Sequence, residues 1–460
     1  MTNKAILLAS IIFSIIVLIF EFNLSYLFIL VLTIVLIFYF GKNVILALII
    51  ISLIIATGET LLDYRPVITM VSLSILLYFF ISEFGLDIKN YPKLPPSIIG
   101  LILFLLFTVF LSIFNSTDLL VSLMAFLRFL IFFLICYLLY SQIKNKLTLY
   151  YYLSALAICV IFLGVSMLIE FVQKGSSFFI NEGTILRLAG LYENPNYVGL
   201  LISITIPVTL SVLLLGTRFN ISTRLFSFLF LFFQIILLIL ADSRASILAV
   251  FISSILIIYY SSKKIKLVFF ISVMSVLLFL IIFTNSLEIV ELYLRLDRAG
   301  TRELFWQSGI EIISDHPLWG IGSDTFSKVF YSYSPSSVME FYDLGAWKVG
   351  KPNPHNLFIY YWAENGILGF FAVFLFFGVL FKLIFNLIRK KTHLEENLYP
   401  IVISIFSITA GLLIRSMFEI TGLITYGFIT RDLPFWILII ILIYLFQESG
   451  KTELKTPVNN

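Results

Sequence analysis

Long apolar runs, separated by short polar segments, occupy most of the chain. About fourteen such runs are present, at approximately 5–21, 24–40, 44–57, 67–85, 97–114, 119–140, 149–171, 197–216, 225–241, 245–261, 267–285, 356–386, 398–417 and 433–447. A helix needs roughly 20 apolar residues to span a bilayer, and continuous Ile/Leu/Phe runs lack the alternation of a β-barrel strand. The pattern predicts an all-α, polytopic transmembrane helix bundle with about 12–14 spans.

Composition supports this prediction and narrows the possible partners. Of the 460 residues, 60% are hydrophobic and 12% are charged, and the mean hydropathy is +1.07. Soluble globular proteins carry about 25% charged residues, so a water-soluble fold is excluded. The net charge of +4 is too small and too dispersed to favour nucleic acid. The lipid bilayer is therefore the expected surroundings.

The placement of lysine and arginine predicts that both termini are cytoplasmic. With the N-terminus inside, most lysines fall on inner loops, as the positive-inside rule requires. An even number of spans then returns the C-terminus to the inside. The predicted organisation is N-terminal spans at 1–172, middle spans with outer arginine-bearing loops at 173–285, a large outer loop at 286–355, C-terminal spans at 356–450 and a tail at 451–460.

Arginine, in contrast, is frequent on the predicted outer face. A guanidinium binds phosphate or carboxylate through paired hydrogen bonds, whereas an ammonium acts as a point charge. This distribution favours an anionic ligand on that face. The alternative is chance together with pairing to outer acids such as Glu182, Glu193 and Asp297. For single residues, the alternative partners are Asp297 or Asp315 for Arg302 and Asp242 for Arg244.

The large outer loop contains helical spacing. Residues 301–314 are predicted to form an interfacial amphipathic helix capped by Thr301. Its apolar band consists of Leu304, Phe305, Ile310, Ile312 and Ile313. His316 precedes a proline in what the pattern indicates is a helix-ending turn, and is interpreted as structural.

His355 stands between Pro354 and Asn356 at the head of the next apolar run. In one interpretation, Asn353 or Asn356 caps that helix and the segment is purely structural. In the other, a neutral imidazole held at the outer surface takes a proton from a hydroxyl group. The residues alone favour neither.

Two further arginines, Arg128 and Arg415, lie within or near the ends of apolar runs. Ionisable residues in such positions rarely face lipid and are candidates for function. An internal ion pair, for example with Glu170 or Glu419, is the simpler explanation.

Several short motifs fall on the predicted outer side. In chain order they are Arg187…Gly190…Asn194-Pro-Asn196, Ser243-Arg244-Ala-Ser246, Thr301-Arg302-Glu-Leu-Phe-Trp306, His316-Pro-Leu-Trp-Gly-Ile-Gly322, and Pro354-His355-Asn356 followed by Glu364-Asn-Gly366-Ile-Leu-Gly369. Together they resemble the O-antigen ligase/polymerase superfamily of bacterial membrane glycosyltransferases. No single motif is specific, but their order and their predicted placement on one membrane face make the set strong. The resemblance covers roughly residues 185–370.

This resemblance implies a saccharide donor linked to undecaprenyl diphosphate, used at the outer face of the bacterial inner membrane without a cofactor or metal. It implies that Arg187 and Arg302 bind the donor diphosphate and that His355 is the base. The acceptor would be a glycan or a lipid core. The outer side contains no Asp-x-Asp motif for a phosphate-bridging metal.

Other residues of the same motifs are secondary candidates. Arg244 is a further candidate for diphosphate binding, and the positioning candidates are Asn356, Tyr192 and Asn196.

Several functions stay open at this point. A polymerase and a ligase would use the same donor and the same residues. As binding partners, other polysaccharide assembly proteins are further candidates. A transporter or flippase of lipid-linked saccharide is an alternative, although it should show internal repeats and midplane charges. A non-catalytic assembly subunit is another, and it would tolerate changes at His355 and Arg302.

Overall fold

The computed structural model describes residues 41–56, 64–174, 187–192, 194–216, 220–266, 299–334, 352–389 and 397–453. Within these ranges the regular elements are α-helices and short 3-10 helices, with no strand. The predicted all-α class is therefore confirmed. The long helices are α1 (Lys42–Ile55), α2 (Arg65–Phe84), α3 (Pro96–Ile113), α4 (Leu119–Ser141), α5 (Lys146–Lys174), α6 (Pro195–Leu215), α7 (Ile221–Ala241), α8 (Arg244–Tyr259), α9 (Ala299–Asp315), α10 (Leu357–Arg389), α11 (Tyr399–Arg415) and α12 (Ile429–Glu453).

Every predicted span that falls on described residues corresponds to one of these helices, within a few residues at each end. In the described part of the chain, eight helices are long and apolar enough to cross a membrane, and α1, α8 and α11 are shorter apolar helices. The predicted spans 5–21, 24–40 and 267–285 lie outside the described residues. The chain is a multi-pass membrane protein.

Local sequence explains where several helices begin. The side chains of Asp118, Asn194 and Asn220 each accept a hydrogen bond from a backbone amide at the start of α4, α6 and α7. Proline stands in the first turn of α2, α3, α6 and α11, where its missing N–H costs nothing.

Two helices form the centre of the bundle. In the most apolar 18-residue stretch of each spanning helix, the buried share of residues is 67% in α6 and 72% in α12. It is 28–44% in the other spanning helices. α12 packs against α1, α4 and α10, whereas α6 packs against α7, α8 and α11. The outer helices keep large apolar side chains exposed, among them Phe107, Phe162 and Phe232. In a bilayer those faces are suited to lipid.

Several contacts join residues that the predicted topology assigns to the same side of the membrane. At one end, Lys42 and Lys144 both pair with Glu83, and the Tyr140 hydroxyl donates to the Lys93 carbonyl (3.1 Å). All these residues come from predicted inner loops or their borders. The predicted outer segments, including Asn196 and His355, meet at the candidate site described below. Which end faces outward stays a prediction.

The predicted helix of the large loop is present as α9, with two corrections. It begins at Ala299, so Thr301 lies inside the helix and the predicted cap is wrong. Phe305 and Ile312 are buried, but Ile310 is 54% exposed and does not belong to the packed face. The helix packs against α10.

The backbone of α10 is broken at Gly366, which has a φ of 65° and a ψ of −164°. The break leaves backbone groups without helical partners, and the segment that follows α9 supplies them. Ile367 N–H donates to the Pro317 carbonyl (2.9 Å), and Gly322 N–H donates to the Glu364 carbonyl (3.0 Å). Two of the sequence motifs therefore dock onto each other.

Side chains strengthen this docking. The Glu364 carboxylate is fully buried and accepts the amides of Asp324 and Phe326 (both 2.8 Å). Ser323 donates to the Asn365 side chain (2.6 Å). These contacts fix the loop segment against α10 and set the position of Asp324 and Phe326.

We expect Gly366→Ala to destabilise the protein. Its φ is positive, and a Cβ there would lie 2.0 Å from the Leu318 carbonyl oxygen. Forcing an L residue into such a conformation costs about 1–3 kcal/mol before the clash is counted. Thermal unfolding of the purified protein in detergent should show a lower Tm.

Gly378→Ala is the matched control, because Gly378 lies in the same helix with nothing within 4 Å of an added Cβ. Alanine is the better helix former by about 1 kcal/mol, so this variant should keep or slightly raise the Tm. Equal Tm values for both variants would show that the break in α10 is not required.

Candidate active site

A buried carboxylate, Glu419, connects the residues of the candidate site. Its Oε1 accepts hydrogen bonds from Asn196 Nδ2 (2.8 Å) and Arg302 Nη2 (3.2 Å). Its Oε2 lies 3.3 Å from His355 Nδ1. These four side chains, which we name the carboxylate cluster, come from the loop after α11, the start of α6, the first turns of α9 and the segment before α10.

The surroundings of Glu419 keep it charged although it is only 3% exposed. Burial alone would raise the pKa of Glu419. The charges of His355, Arg415 and Arg302, with the hydrogen bond from His355, outweigh that effect and lower the pKa to about 2. The group is therefore an ionised carboxylate at physiological pH.

His355 is held rigidly at the edge of the cluster. Its backbone has a φ of 44°, a conformation unusual for a residue other than glycine. Its N–H donates to the Asn353 side chain (3.0 Å), and its ring packs edge-on against Phe305 with centroids 5.8 Å apart. Strain of this kind in a fixed segment is typical of functional sites.

The hydrogen bond to Glu419 determines which nitrogen of His355 is available. An ionised carboxylate can only accept, so Nδ1 carries the hydrogen when this bond forms. In the neutral form of the ring, Nε2 is then the nitrogen with the free lone pair. The side chain is 25% exposed, which leaves the ring within reach of a substrate.

The two principal predicted arginines are both joined to this cluster. Arg302 pairs with Glu419 rather than with Asp315, and the other expected partner, Asp297, lies outside the described residues. Arg187 donates from Nη2 to the Asn196 side chain (2.7 Å) and from Nε to the Ala241 carbonyl (3.1 Å). Asn196 thus connects Arg187 to Glu419.

Arg415 is a buried residue that joins the elements around the cluster. It is 1% exposed and donates to the Ser246 hydroxyl (3.2 Å), the Thr421 carbonyl (2.7 Å) and the Asn196 carbonyl (3.0 Å). Its guanidinium thereby joins α6, α8, α11 and the loop that contains Glu419. The predicted pairing with Glu419 is a nearby charge interaction rather than a direct bond.

A cavity of about 340 Å³ opens beside the cluster. Both His355 and Glu419 line it, and aromatic side chains form much of the rest of its wall. Among the described residues, the lining consists of Asn194, Tyr197, Phe305, Asp324, Phe326, Ser327, Pro352, Asn353, His355, Tyr360, Glu364, Glu419, Ile420, Thr421, Thr425, Phe428 and Arg431. A mixture of rings, hydroxyls and carboxylates suits a sugar.

The secondary candidates divide into two groups. Asn196 is a member of the cluster, but Tyr192 is buried elsewhere and its hydroxyl donates to the Ile54 carbonyl (3.2 Å). Asn356 accepts the amides of Phe358 and Ile359 (2.9 and 3.1 Å), which makes it the cap of α10. A positioning role for Tyr192 or Asn356 would be indirect.

Arg244 begins α8, immediately after Ser243. The Ser243 hydroxyl donates to the Asn196 side chain (3.2 Å). Arg244 therefore directly follows a residue that contacts the cluster. The role of Arg244 in diphosphate binding stays a prediction.

Arg128 has a different partner from those expected. It pairs with Asp324 (2.7 Å), whereas Glu170 accepts the amides of Ala189 and Gly190 (3.0 and 2.7 Å). The internal ion pair expected for Arg128 is therefore present, but its acid is Asp324 and not either of the two examples, Glu170 and Glu419. Asp324 reaches Arg128 because the docked loop brings it there, across a long separation in sequence.

Sequence reasoning missed the central role of Glu419. It considered this residue only as a possible partner for arginines in the spans. The available signal was an acid four residues after Arg415 at the end of an apolar run. Among the residues that the structure describes, no group of three or more His, Cys, Asp or Glu side chains is placed to hold a metal ion.

The middle of the chain can be compared with known families. Residues 228–374 match the family model described as O-antigen ligase. The resemblance to the O-antigen ligase/polymerase superfamily predicted from the motifs is confirmed by this match. The matched segment includes Arg244, Arg302 and His355, whereas Arg187, Asn196 and Glu419 lie outside it. No curated protein matches the chain.

We expect Arg415→Lys to destabilise the protein despite keeping the charge. Three of the nitrogen atoms of Arg415 donate to acceptors on different elements, and one ammonium cannot replace that fork. Hydrogen bonds from charged groups contribute about 1.5–3 kcal/mol each. The decrease in the free energy of unfolding should therefore exceed that caused by a substitution of an exposed residue. Chemical or thermal unfolding in detergent measures it.

Arg389→Lys provides the comparison, since Arg389 is exposed in the last turn of α10. Its unfolding should match that of the unmodified protein. If Arg415→Lys unfolds identically too, the support of the cluster by Arg415 is wrong.

Proposed function

We propose that this protein is a membrane glycosyltransferase that moves a glycan from an undecaprenyl-diphosphate donor to a hydroxyl acceptor. The observation that supports this most strongly is the carboxylate cluster, in which one buried acid contacts both His355 and Arg302 beside a cavity. The match to the O-antigen ligase family supports the same class of reaction. We further propose that the site faces outward at the bacterial inner membrane, with both termini cytoplasmic.

In the proposed reaction, Nε2 of His355 takes the proton from the acceptor hydroxyl. The hydroxyl oxygen attacks the anomeric carbon of the donor sugar while the bond from that carbon to the diphosphate oxygen breaks. The electron pair of that bond leaves with the diphosphate. A single displacement of this kind inverts the anomeric configuration and needs no cofactor.

Glu419 acts in this proposal as a positioning residue. It fixes the ring of His355 and the hydrogen on Nδ1, and its negative charge stabilises the imidazolium that forms when Nε2 takes the proton. The same carboxylate orients Arg302, which brings a base and a cation into one rigid unit.

Arginine provides the proposed stabilisation of the leaving group, without a metal. Arg302 and Arg187 are both fixed by the cluster, and Arg244 lies in the adjacent motif. Their charges would offset the negative charge that develops on the diphosphate in the transition state. A polymerase and a ligase would both use this arrangement, so the acceptor is proposed as a glycan or lipid core hydroxyl.

We expect His355→Ala to reduce glycan transfer by 10²–10⁴-fold, the usual cost of losing a general base. Transfer from a lipid-linked donor to acceptor by purified protein is the measurement. His316→Ala is the matched control, because the turn there uses the His316 backbone carbonyl and not its ring. Equal transfer by the His355 variant and the unmodified protein would contradict the base assignment.

We expect Glu419→Gln to lower kcat for glycan transfer more than it raises the KM for the donor, because glutamine cannot stabilise the positive charge that the ring of His355 gains in the transition state. Transfer rates at varied donor concentration measure both constants, and thermal unfolding in detergent checks that the variant folds. A loss confined to KM, with kcat unchanged, would contradict the positioning role.

A further inference from the structure

Arg431, in the first turn of α12, lines the cavity and is held there by aromatic rings. Its guanidinium carbon lies 4.3 Å from the centroid of Tyr197 and 4.8 Å from that of Phe428. Contact of a guanidinium with ring faces uses the flat sides of the group and leaves its N–H donors, which lie in the plane, available for a ligand.

In the described part of the chain, no carboxylate lies within ion-pair distance of the Arg431 guanidinium, and no acceptor receives a hydrogen bond from it. The adjacent acid, Asp432, instead binds the amide of Thr425 (2.6 Å) and its hydroxyl. Arg128 provides the contrast, because it stacks on the same Phe428 ring (4.1 Å) but is paired with Asp324 (2.7 Å).

The arginines assigned above to the leaving group have other contacts. The charge of Arg302 is offset by Glu419 (3.2 Å), and Arg187 donates to Asn196 and to the Ala241 carbonyl. Neither belongs to the cavity lining, in which Arg431 is the one arginine among the described residues. The cationic donors that face the cavity therefore belong to Arg431.

We propose that Arg431 binds the diphosphate of the lipid-linked donor. This inference rests on the proposed function for the identity of the ligand. A diphosphate offers paired oxygens, which match the in-plane donors of a guanidinium. His355 and Arg431 come from different elements that line the same cavity, so the acceptor hydroxyl and the leaving group can be held by separate residues.

The balance of charge in the cavity is consistent with this role. Besides the tyrosines Tyr197 and Tyr360, the other ionisable groups in the described part of the lining are Asp324, Glu364, Glu419 and His355. Glu364 is occupied by two backbone amides, and Asp324 and Glu419 are each paired with an arginine. Arg431 therefore supplies a positive charge that the lining acids do not neutralise by direct contact.

The test uses the full-length protein in nanodiscs and farnesyl diphosphate as the probe, with binding measured by calorimetry. We expect Arg431→Gln to weaken binding of this probe by about 10- to 100-fold, the range for losing hydrogen bonds to a charged group. The affinity of Arg431→Lys should lie between those of Arg431→Gln and the unmodified protein, because lysine keeps the charge but lacks the paired donors of the guanidinium. Arg389→Gln removes a charge far along α10 and should leave the affinity unchanged.

Two further probes identify the ligand chemistry. Farnesyl monophosphate should bind more weakly than the diphosphate to the unmodified protein, and this difference should shrink in Arg431→Lys. Glucuronate tests the other source of an anion, an acidic sugar. If glucuronate binding depends on Arg431 and farnesyl diphosphate binding does not, the assignment to the diphosphate is overturned.

The outcome can be separated from that of the proposed function. Unchanged farnesyl diphosphate binding in Arg431→Gln would overturn this inference whatever the transfer assay shows. Weakened binding together with full transfer by His355→Ala would keep the diphosphate site and reject the proposed base. If Arg431→Gln does not fold, as judged by its thermal unfolding, the comparison of both phosphates in Arg431→Lys decides the question.

Discussion

A buried negative charge is the constraint on which the site depends. A carboxylate that is removed from water must be compensated by hydrogen bonds and positive charge. Glu419 obtains these from Asn196, Arg302 and His355, with Arg415 close by. Because these residues lie on different elements, satisfying one carboxylate brings the start of α6, the first turns of α9 and the segment before α10 to the same place. Removing a single partner would leave charge uncompensated, so the arrangement is expected to form as a unit.

The broken helix α10 places the loop that completes the cavity. Backbone groups of a helix that crosses a membrane need hydrogen-bond partners, and the break at Gly366 removes the helical partners of several such groups. The segment that follows α9 satisfies them with its own backbone, and Glu364 adds two more acceptors for the amides of that loop. Asp324 and Phe326 reach the cavity wall as a result. The loop is therefore positioned by the bundle, and the cavity consists partly of loop and partly of helix ends.

The arginines near the cavity differ in how their charge is used. Arg415 is buried and structural, because its donors join several elements. Arg302 shares a carboxylate with His355, the proposed base, so the positions of the two side chains are coupled. Arg431 is stacked against two aromatic rings and faces the cavity. This division fits the proposed reaction, in which one group takes a proton and another binds the negatively charged leaving group, a role that suits arginine better than lysine.

The class of fold follows from the sequence alone, because the apolar runs that a bilayer requires are long and local and can be read without knowing any contact. The sequence also places most helix boundaries, and its short motifs predict His355 and Arg302 as site residues. It could not determine that Glu419 joins them, that Arg128 pairs with Asp324, or that Tyr192 lies away from the site. Those pairings link residues far apart in the chain, and similar arginine and acid side chains at several loop ends offered equally plausible partners. Only the tertiary structure, through the packing of α6, α10 and α12 and the docking of the loop on the break at Gly366, selected among them.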